Sequence, residues 1–531
     1  MRSKPLILFS LLLAAFAINL DTTIVNVALP TLVRELHASN TQLQWVVDAY
    51  NLVFVALLLV AGSLSDRLGR KGMLLSGLAV FGLASFAGGL TDTPGQLIVA
   101  RCVMGLGAAM VFPATLSLIS NVFTERAERA RAIGLWGATA GMAIALGPII
   151  GGWLLQSFSW TSIFFAMAPV AVLGAALVAW SVPSSRDPHA PRADGPGFLL
   201  STAAMALLIY TVIEAPNYGW GSARSIGGFI AVIVLFAAFV VRERRTDEPM
   251  LDIGLFRNPR FTAASGAVTI AFFSLFGFIF LMTQYFQFLK GYGPLSAGLH
   301  LLPVATSVGI ASVLGTKLAV RFGTKLVVAC GLLFVAAFYV WVAAIVAPTT
   351  PYGTIAAQMV LYGVGMGLTS APATEAIMGA VPKEKAGVGS AVNDATRLLG
   401  GTLGVAVIGS VYASLYASRL TSALPSGLPR ALTHAAHESV GAALEVSTRL
   451  SHSGRASLAG ELHQAASGAF IHGLSAGCLV AGGVAIAGAI MAVLLLPAQP
   501  LAAEPMPAEP VAAATVGPLP ASSRSAAVLG E

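Results

Sequence analysis

Asp21 stands in the run Leu20-Asp21-x-Thr23-x-x-Asn26-x-Ala28-Leu29-Pro30, inside an otherwise apolar stretch. A carboxylate in hydrocarbon is expensive, so it is expected to face a cavity and to work there. Burial and a neighbouring cation act in opposite senses on a carboxyl's hold on its proton, and together they can tune it for proton transfer. Capping a break in the helix is the competing role. A second charge sits in Leu97-x-x-x-Arg101-x-x-x-Gly105-x-Gly107, at a depth comparable to Asp21. An unpaired arginine is not expected inside a membrane, which makes Asp21 its candidate counter-charge or proton-relay partner. Snorkelling to the surface is the alternative for Arg101. Asn19, Thr23 and Asn26 share one helical face, whereas Asp21 lies about 160° from Asn19. These positions reach one cavity only if the helix rotates or breaks.

Two glycine-rich segments carry mechanical rather than acid–base chemistry. Gly62-Ser63-Leu64-Ser65-Asp66-Arg67-Leu68-Gly69-Arg70-Lys71 closes one apolar span and turns into the next. Gly62 and Gly69 permit a tight turn. Asp66 can meet a helix N-terminus or a nearby arginine, so with Arg67 and Arg70 the loop is a candidate latch between two halves of the molecule. Further along, Gly134-x-x-Gly137-x-x-x-Gly141 precedes Gly147-Pro148-Ile149-Ile150-Gly151-Gly152. Gly137, Gly141, Ala145, Pro148 and Gly152 form one stripe, which is expected to let another helix approach closely, and Pro148 removes a backbone donor and bends its helix.

Weaker candidates follow. Gln44, Asp48 and Asn51 form a polar stripe, Glu214 ends an apolar span, and Glu375 lies within one. Asp394 and Arg397 sit at i,i+3, where partners neutralise each other locally. Trp45, Phe54, Trp136, Phe276, Phe280, Tyr285 and Met366 are candidates for an aromatic cavity suited to flat cations, with ordinary packing as the alternative for each. His434, His437, His452 and His463 share one loop without a cysteine or a paired carboxylate, so no metal site is expected. Cys102, Cys330 and Cys478 lie in apolar runs as small hydrophobes. There is no Gly-x-x-x-x-Gly-Lys-Ser/Thr and no nucleophile motif, so neither ATP nor a cofactor is expected, and an enzyme is not.

The elements that must position these residues are read from composition. Of 531 residues 56 % are hydrophobic and 10 % charged, and mean hydropathy is +0.82. Apolar runs long enough to span a bilayer fall near 6–29, 43–65, 74–90, 95–119, 130–154, 160–181, 196–214, 225–241, 261–288, 296–319, 324–347, 353–379, 388–416 and 470–496. An all-α polytopic membrane protein of fourteen spans is expected. The apolar run at the N-terminus continues past Ala15-Phe16-Ala17, so it reads as an uncleaved first helix rather than a signal peptide. With the N-terminus inside, Arg34, Arg224, Lys290, Arg419, Arg430, Arg449 and Arg455 fall outside, Arg101 and Arg397 fall within spans, and the remaining Lys and Arg are cytoplasmic. That bias places both termini in the cytoplasm and accounts for the net charge of +7 without nucleic acid.

An internal repeat is visible as well. Leu64-x-x-Arg67-x-Gly69-x-Lys71 recurs as Leu318-x-x-Arg321-x-Gly323-x-Lys325, and Gly105-x-Gly107 as Gly363-x-Gly365. Pro113-Ala114-Thr115 recurs as Pro372-Ala373-Thr374, and Glu125-Arg126-Ala127 as Glu384-Lys385-Ala386. Spans 2–5 thereby map onto spans 10–13. The expected organisation is a six-helix bundle over 1–181, a linker with spans 7 and 8 over 182–257, and a second six-helix bundle over 258–497. An outer loop, 418–468, carries stretches such as Val440–Leu450 that can form amphipathic helices over the mouth, and a disordered tail covers 498–531. Parallel six-helix repeats are the build of transporters with a site between the halves.

Taken together, the span-1, loop 2–3, span-4 and span-5 motifs resemble the fourteen-helix drug:proton antiporter family of the major facilitator superfamily, over residues 6–496. The resemblance implies alternating access and export of amphipathic, often cationic compounds across the cytoplasmic membrane, driven by inward proton flow. It implies antibiotic resistance as the outcome. Asp21, Asp66, Arg101 and the Gly147–Gly152 run match the family positions, and Asn26, Asp48, Glu214 and Glu375 join Asp21 and Arg101 as candidates for proton coupling or substrate contact. Val320 stands where the second copy of the loop motif would need the counterpart of Asp66. The partners expected are a small amphipathic substrate, protons and lipid, with the chain working as a monomer. The alternatives are a major facilitator carrier for one metabolite, sugar or siderophore, and a membrane sensor or scaffold that transports nothing.

Overall fold

The structure, a computed structural model, describes residues 3–186, 194–246, 253–381, 386–425 and 428–497. The expected tail over 498–531 lies outside these residues. The first half contains α1 (Lys4–Leu36), α2 (Asn40–Leu68), α3 (Arg70–Gly88), α4 (Pro94–Val122), α5 (Arg126–Ser157) and α6 (Ser162–Ser181). A hairpin of α7 (Gly195–Tyr218) and α8 (Ala223–Arg245) follows. The second half contains α9 (Pro259–Gln284), continued by a π turn at Tyr285–Leu289, then α10 (Pro294–His300), α11 (Leu302–Phe322), α12 (Thr324–Ile345), α13 (Tyr352–Gly379) and α14 (Ala386–Ala423). Short α15 (Arg430–Glu438) and α16 (Val440–His452) lead into α17 (Ala456–Leu495).

Helix starts follow local chemistry. Ser39 and Gln42 form a reciprocal capping box at α2, with Gln42 N donating to Ser39 Oγ at 3.3 Å and Ser39 N to Gln42 Oε1 at 3.0 Å. Thr93 and Asn258 cap α4 and α9 by accepting from Gln96 N and Arg260 N, each followed by a proline at the first helical position, where a missing N–H costs nothing. Among the described residues twelve helices are long and apolar enough to cross a membrane. The two remaining expected spans coincide with α2 and α13, helices of 29 and 28 residues.

Helix pairing repeats between the halves. α2 packs on α4 as α11 packs on α13, α3 on α4 as α12 on α13, and α1 on α5 as α9 on α14. The repeated glycines mark the crossings. A Cβ on Gly105 would lie 2.5 Å from the Tyr50 carbonyl oxygen, and one on Gly363 2.7 Å from that of Val304. Gly107 meets Gly77 O at 2.8 Å and Gly365 meets Gly331 O at 2.7 Å in the same sense. Gly69 and Gly323 are the single residues joining α2 to α3 and α11 to α12, with φ of 118° and 89°, a backbone region open to glycine at little cost.

α7 lies along the side of the molecule against both α2 and α14 and carries α8 on its far face. The expected outer loop over 418–468 is mostly helix. α14 runs on to Ala423, α17 begins at Ala456, and α15 and α16 fill the interval. The sequence places the last span's start at 470, because the polar residues of 456–468 mask a helix that continues beyond the apolar run. α16 is seated on the ends of α1 and α9, where a Cβ on Gly441 would meet the Phe288 ring at 2.5 Å and Val33 at 2.8 Å.

Candidate functional site

Asp21 on α1 and Arg101 on α4 form an ion pair, both side chains having zero exposure. Arg101 Nη1 donates to Asp21 Oδ2. Arg101 Nε donates to Val46 O of α2 at 3.0 Å, and the guanidinium lies 4.3 Å from the centre of the Tyr50 ring. Tyr50 Oη in turn donates to Ile18 O at 3.0 Å. The pair therefore ties α1, α2 and α4 around two opposite charges. Asp21 Oδ1 and Arg101 Nη2 have no protein partner. Such a pair is costly to form and more costly to break from one side, since removing a partner leaves a buried charge uncompensated.

The opposite face of α1 closes on α5. Thr23 Oγ1 donates to Ile144 O at 3.2 Å. A Cβ on Gly147 would strike Thr23 Oγ1 and come within 3.1 Å of Ile24 N, and one on Gly151 would lie 2.9 Å from Ile24 O. Gly152 faces the second half instead, 2.6 Å from Pro294 O and 2.7 Å from Leu295 Cα by the same measure. Gly298 returns the contact against Pro148, 2.7 Å from its carbonyl carbon. Gly147, Pro148, Gly151 and Gly152 thus sit where α1, α5 and α10 converge. The stripe is not uniform, however. Gly137 and Gly141 have nothing within 4 Å, so the expected close helix approach is confined to the C-terminal half of α5. A shared face says nothing of whether a neighbour covers it.

The polar stripe of α2 is buried. Gln44 Oε1 accepts from Ser410 Oγ of α14 at 3.4 Å, and Ser410 Oγ also donates to Val212 O of α7 at 2.8 Å. Asp48 and Asn51 are buried, and among the described residues no side-chain polar atom of either has a partner. Gln287 Nε2, on the π turn, reaches across to Val27 O of α1 at 2.9 Å. These bonds between the halves, like the close backbone approaches at Gly152 and Gly298, lie toward the end of the bundle where α15 and α16 sit.

Other expected residues fall elsewhere. Asn26 Nδ2 bonds back to Thr22 O at 3.3 Å within α1. Glu214 is at the end of α7, where its oxygens accept from Trp45 Nε1 at 3.3 Å and Asn217 Nδ2 at 2.9 Å. Glu375 is exposed on α13, away from the buried pair. Asp394 and Arg397 are close enough for their charges to act on each other but make no direct ion pair among the described residues; Arg397 Nη2 donates to Thr374 Oγ1 at 3.1 Å and stacks 5.3 Å over Phe272. The Asp66 side chain lies outside the described residues. Around it, Arg70 N donates to Ser185 O at 3.0 Å and Lys71 Nζ to Ala179 O at 2.8 Å. These two bonds hold the loop against α6 and the residues just after it, and Gly62 makes ordinary contact, 3.6 Å from Pro113 Cβ. Of the aromatic candidates, Phe54 and Trp136 flank Phe112 at 5.6 and 4.8 Å, a packed cluster. Tyr50 and Gln287 escaped sequence reasoning because neither is ionised nor part of a spaced motif. Among the described residues no group of three metal-ligating side chains occurs.

Comparison with known proteins completes the picture. The family model described as Major Facilitator Superfamily matches residues 11–405. The chain is 36 % identical over 471 residues to the multidrug efflux pump LfrA of Mycolicibacterium smegmatis, covering 89 % of this chain and 92 % of that one. It is 36 % identical over 393 residues to a methylenomycin A resistance protein of Streptomyces coelicolor, covering 74 % and 82 %. A tetracenomycin C resistance and export protein of Streptomyces glaucescens is 33 % identical over 405 residues, covering 76 % and 74 %. The solved structure of a bacterial homologue of the human lysosomal transporter Spinster superposes with a TM-score of 0.65 at 16 % identity, over 93 % of this chain and 97 % of that one. The chain is a multi-pass membrane protein and belongs to the Major Facilitator Superfamily.

Proposed function

We propose that this protein exports amphipathic, often cationic drugs across the cytoplasmic membrane in exchange for inward-moving protons. Relatives named for multidrug efflux and for methylenomycin and tetracenomycin resistance support the cargo class. The observation that carries the coupling is the buried Asp21–Arg101 pair, one helix face away from the Gly147–Gly151 seam on α1. Protonating Asp21 removes one charge of the pair and frees Arg101, and α1 transmits that change to its contact with α5. Cargo and proton bind in turn, and the cycle runs because each has a different affinity for the two access states. The Lys and Arg distribution supports both termini facing the cytoplasm, so the contacts between halves described above close the outer side.

The test is efflux of a fluorescent cation from cells lacking other pumps. Efflux that collapses with a protonophore and a raised minimal inhibitory concentration for several unrelated drugs are expected. Efflux that persists without a proton gradient refutes the coupling. Resistance confined to a single compound refutes the breadth.

A further inference from the structure

The hairpin of α7 and α8 holds a cavity of about 280 Å³ lined by Tyr210, Thr211, Glu214, Tyr218, Arg224 and Ser225. Its two charges are opposite, yet Glu214 and Arg224 form no ion pair. Glu214 is held by Trp45 and Asn217, one bond to each oxygen, which leaves each oxygen a lone pair for a further donor. Arg224 makes no hydrogen bond and only lies over the Tyr218 ring, 5.0 Å from its centre. Tyr210 and Tyr218 line the same space, with their hydroxyls 3.3 Å apart. A space bounded by a fixed carboxylate, a free guanidinium and aromatic faces fits a ligand with an ammonium at one end and a phosphate at the other.

The surroundings identify the source. Ile226, Ile230, Ile233 and Val234 are 50 %, 57 %, 67 % and 60 % exposed, and they form an apolar stripe along α8 that starts two residues after Arg224. Trp220 and Tyr218, both about two-fifths exposed, lie at the same end of the span, as aromatic residues do at the headgroup level of a bilayer. We propose that this cavity binds the headgroup of a zwitterionic aminophospholipid, the ammonium on Glu214 and the phosphate on Arg224, with the acyl chains along the exposed stripe of α8. α7 also bonds α2 through Glu214 and α14 through Val212, so the lipid would rest on a helix that touches both halves.

Native mass spectrometry of the purified full-length protein, exchanged into detergent with equimolar phosphatidylethanolamine and phosphatidylglycerol, tests this. Arg224 is exposed and unbonded, and Glu214→Gln keeps an acceptor for Trp45, so both variants are suited to the comparison; size-exclusion profiles confirm that each is folded. Phosphatidylethanolamine is expected to be retained about fivefold over phosphatidylglycerol. Glu214→Gln should bring that ratio to about one, and Arg224→Gln should lower retention of both lipids. Equal retention by the unaltered protein, or ratios indifferent to both variants, overturns the proposal. Displacement of the lipid by tetraphenylphosphonium, with Glu214→Gln abolishing the cation's binding, also overturns it and makes the cavity a cargo site.

Discussion

Substituting alanine for Gly152 or Gly298 separates the packing role of the glycine run from its general helical character. A Cβ at Gly152 would lie 2.6 Å from Pro294 O, 2.7 Å from Leu295 Cα and 2.9 Å from Leu295 N. All three are backbone atoms and cannot rotate away. One at Gly298 would collide with the Pro148 carbonyl from the other side. Overpacking of this kind costs about 1–3 kcal/mol. That cost falls only on the state in which α5 and α10 touch, so it shifts the population away from that state by about 5- to 150-fold. Gly137→Ala is the control, since nothing lies within 4 Å of that position and alanine is the better helix former. Spin labels at the loop ends of α5 and α10, read by double electron–electron resonance, should show a longer distance in Gly152→Ala and Gly298→Ala and no change in Gly137→Ala. Efflux should fall with the first two alone. An unaltered distance distribution in Gly152→Ala refutes the reasoning.

Arg101→Lys keeps the charge beside Asp21 but loses the planar fork, hence the bond to Val46 O and the stacking on Tyr50. It should cost about 1.5–3 kcal/mol, seen as a lower melting temperature in detergent, with most efflux lost. His437, on α15 outside the spans, is pushed below its ordinary value near 6.5 by burial and by His434 beside it. The α15–α16 cap, when unfolded, then binds this proton at higher pH than when folded, so the cap is most stable above that ordinary value and loses stability as pH falls through it. Protection factors of amides in α15 and α16, corrected for the intrinsic exchange rate at each pH, should fall between about pH 7.5 and 5.5, and His437→Gln should lessen that fall; an equal fall in the variant contradicts the assignment.

Much of the fold was legible because hydrocarbon leaves little choice. Every expected span coincides with a helix, and the glycines that repeat between halves prove to be the crossing points of α4 with α2 and α3 and of α13 with α11 and α12. Asp21 and Arg101 could be matched because two opposite charges at one depth have few other partners. Contact-dependent features were not legible. Gly137 and Gly152 share a helical stripe, yet only one has a neighbour. Asp394 and Arg397 have the spacing of a pair and their charges act on each other, but Thr374 on α13 also offers Arg397 a bond that local sequence does not reveal. Tyr50 supports Arg101 through its ring face and Ile18 through its hydroxyl, and neither role leaves a pattern in spacing. The cap was blurred for a different reason, since its helices are short and polar on one side.

The central claim is that Asp21 exchanges a proton each time cargo crosses, and proteoliposomes test it most directly. Protein reconstituted with a pH-sensitive dye inside and a fluorescent cation as cargo should show proton movement opposite to cargo. Asp21→Asn, inserted to the same level, should show neither movement under a pH gradient. Proton-coupled flux of normal rate in Asp21→Asn contradicts the account.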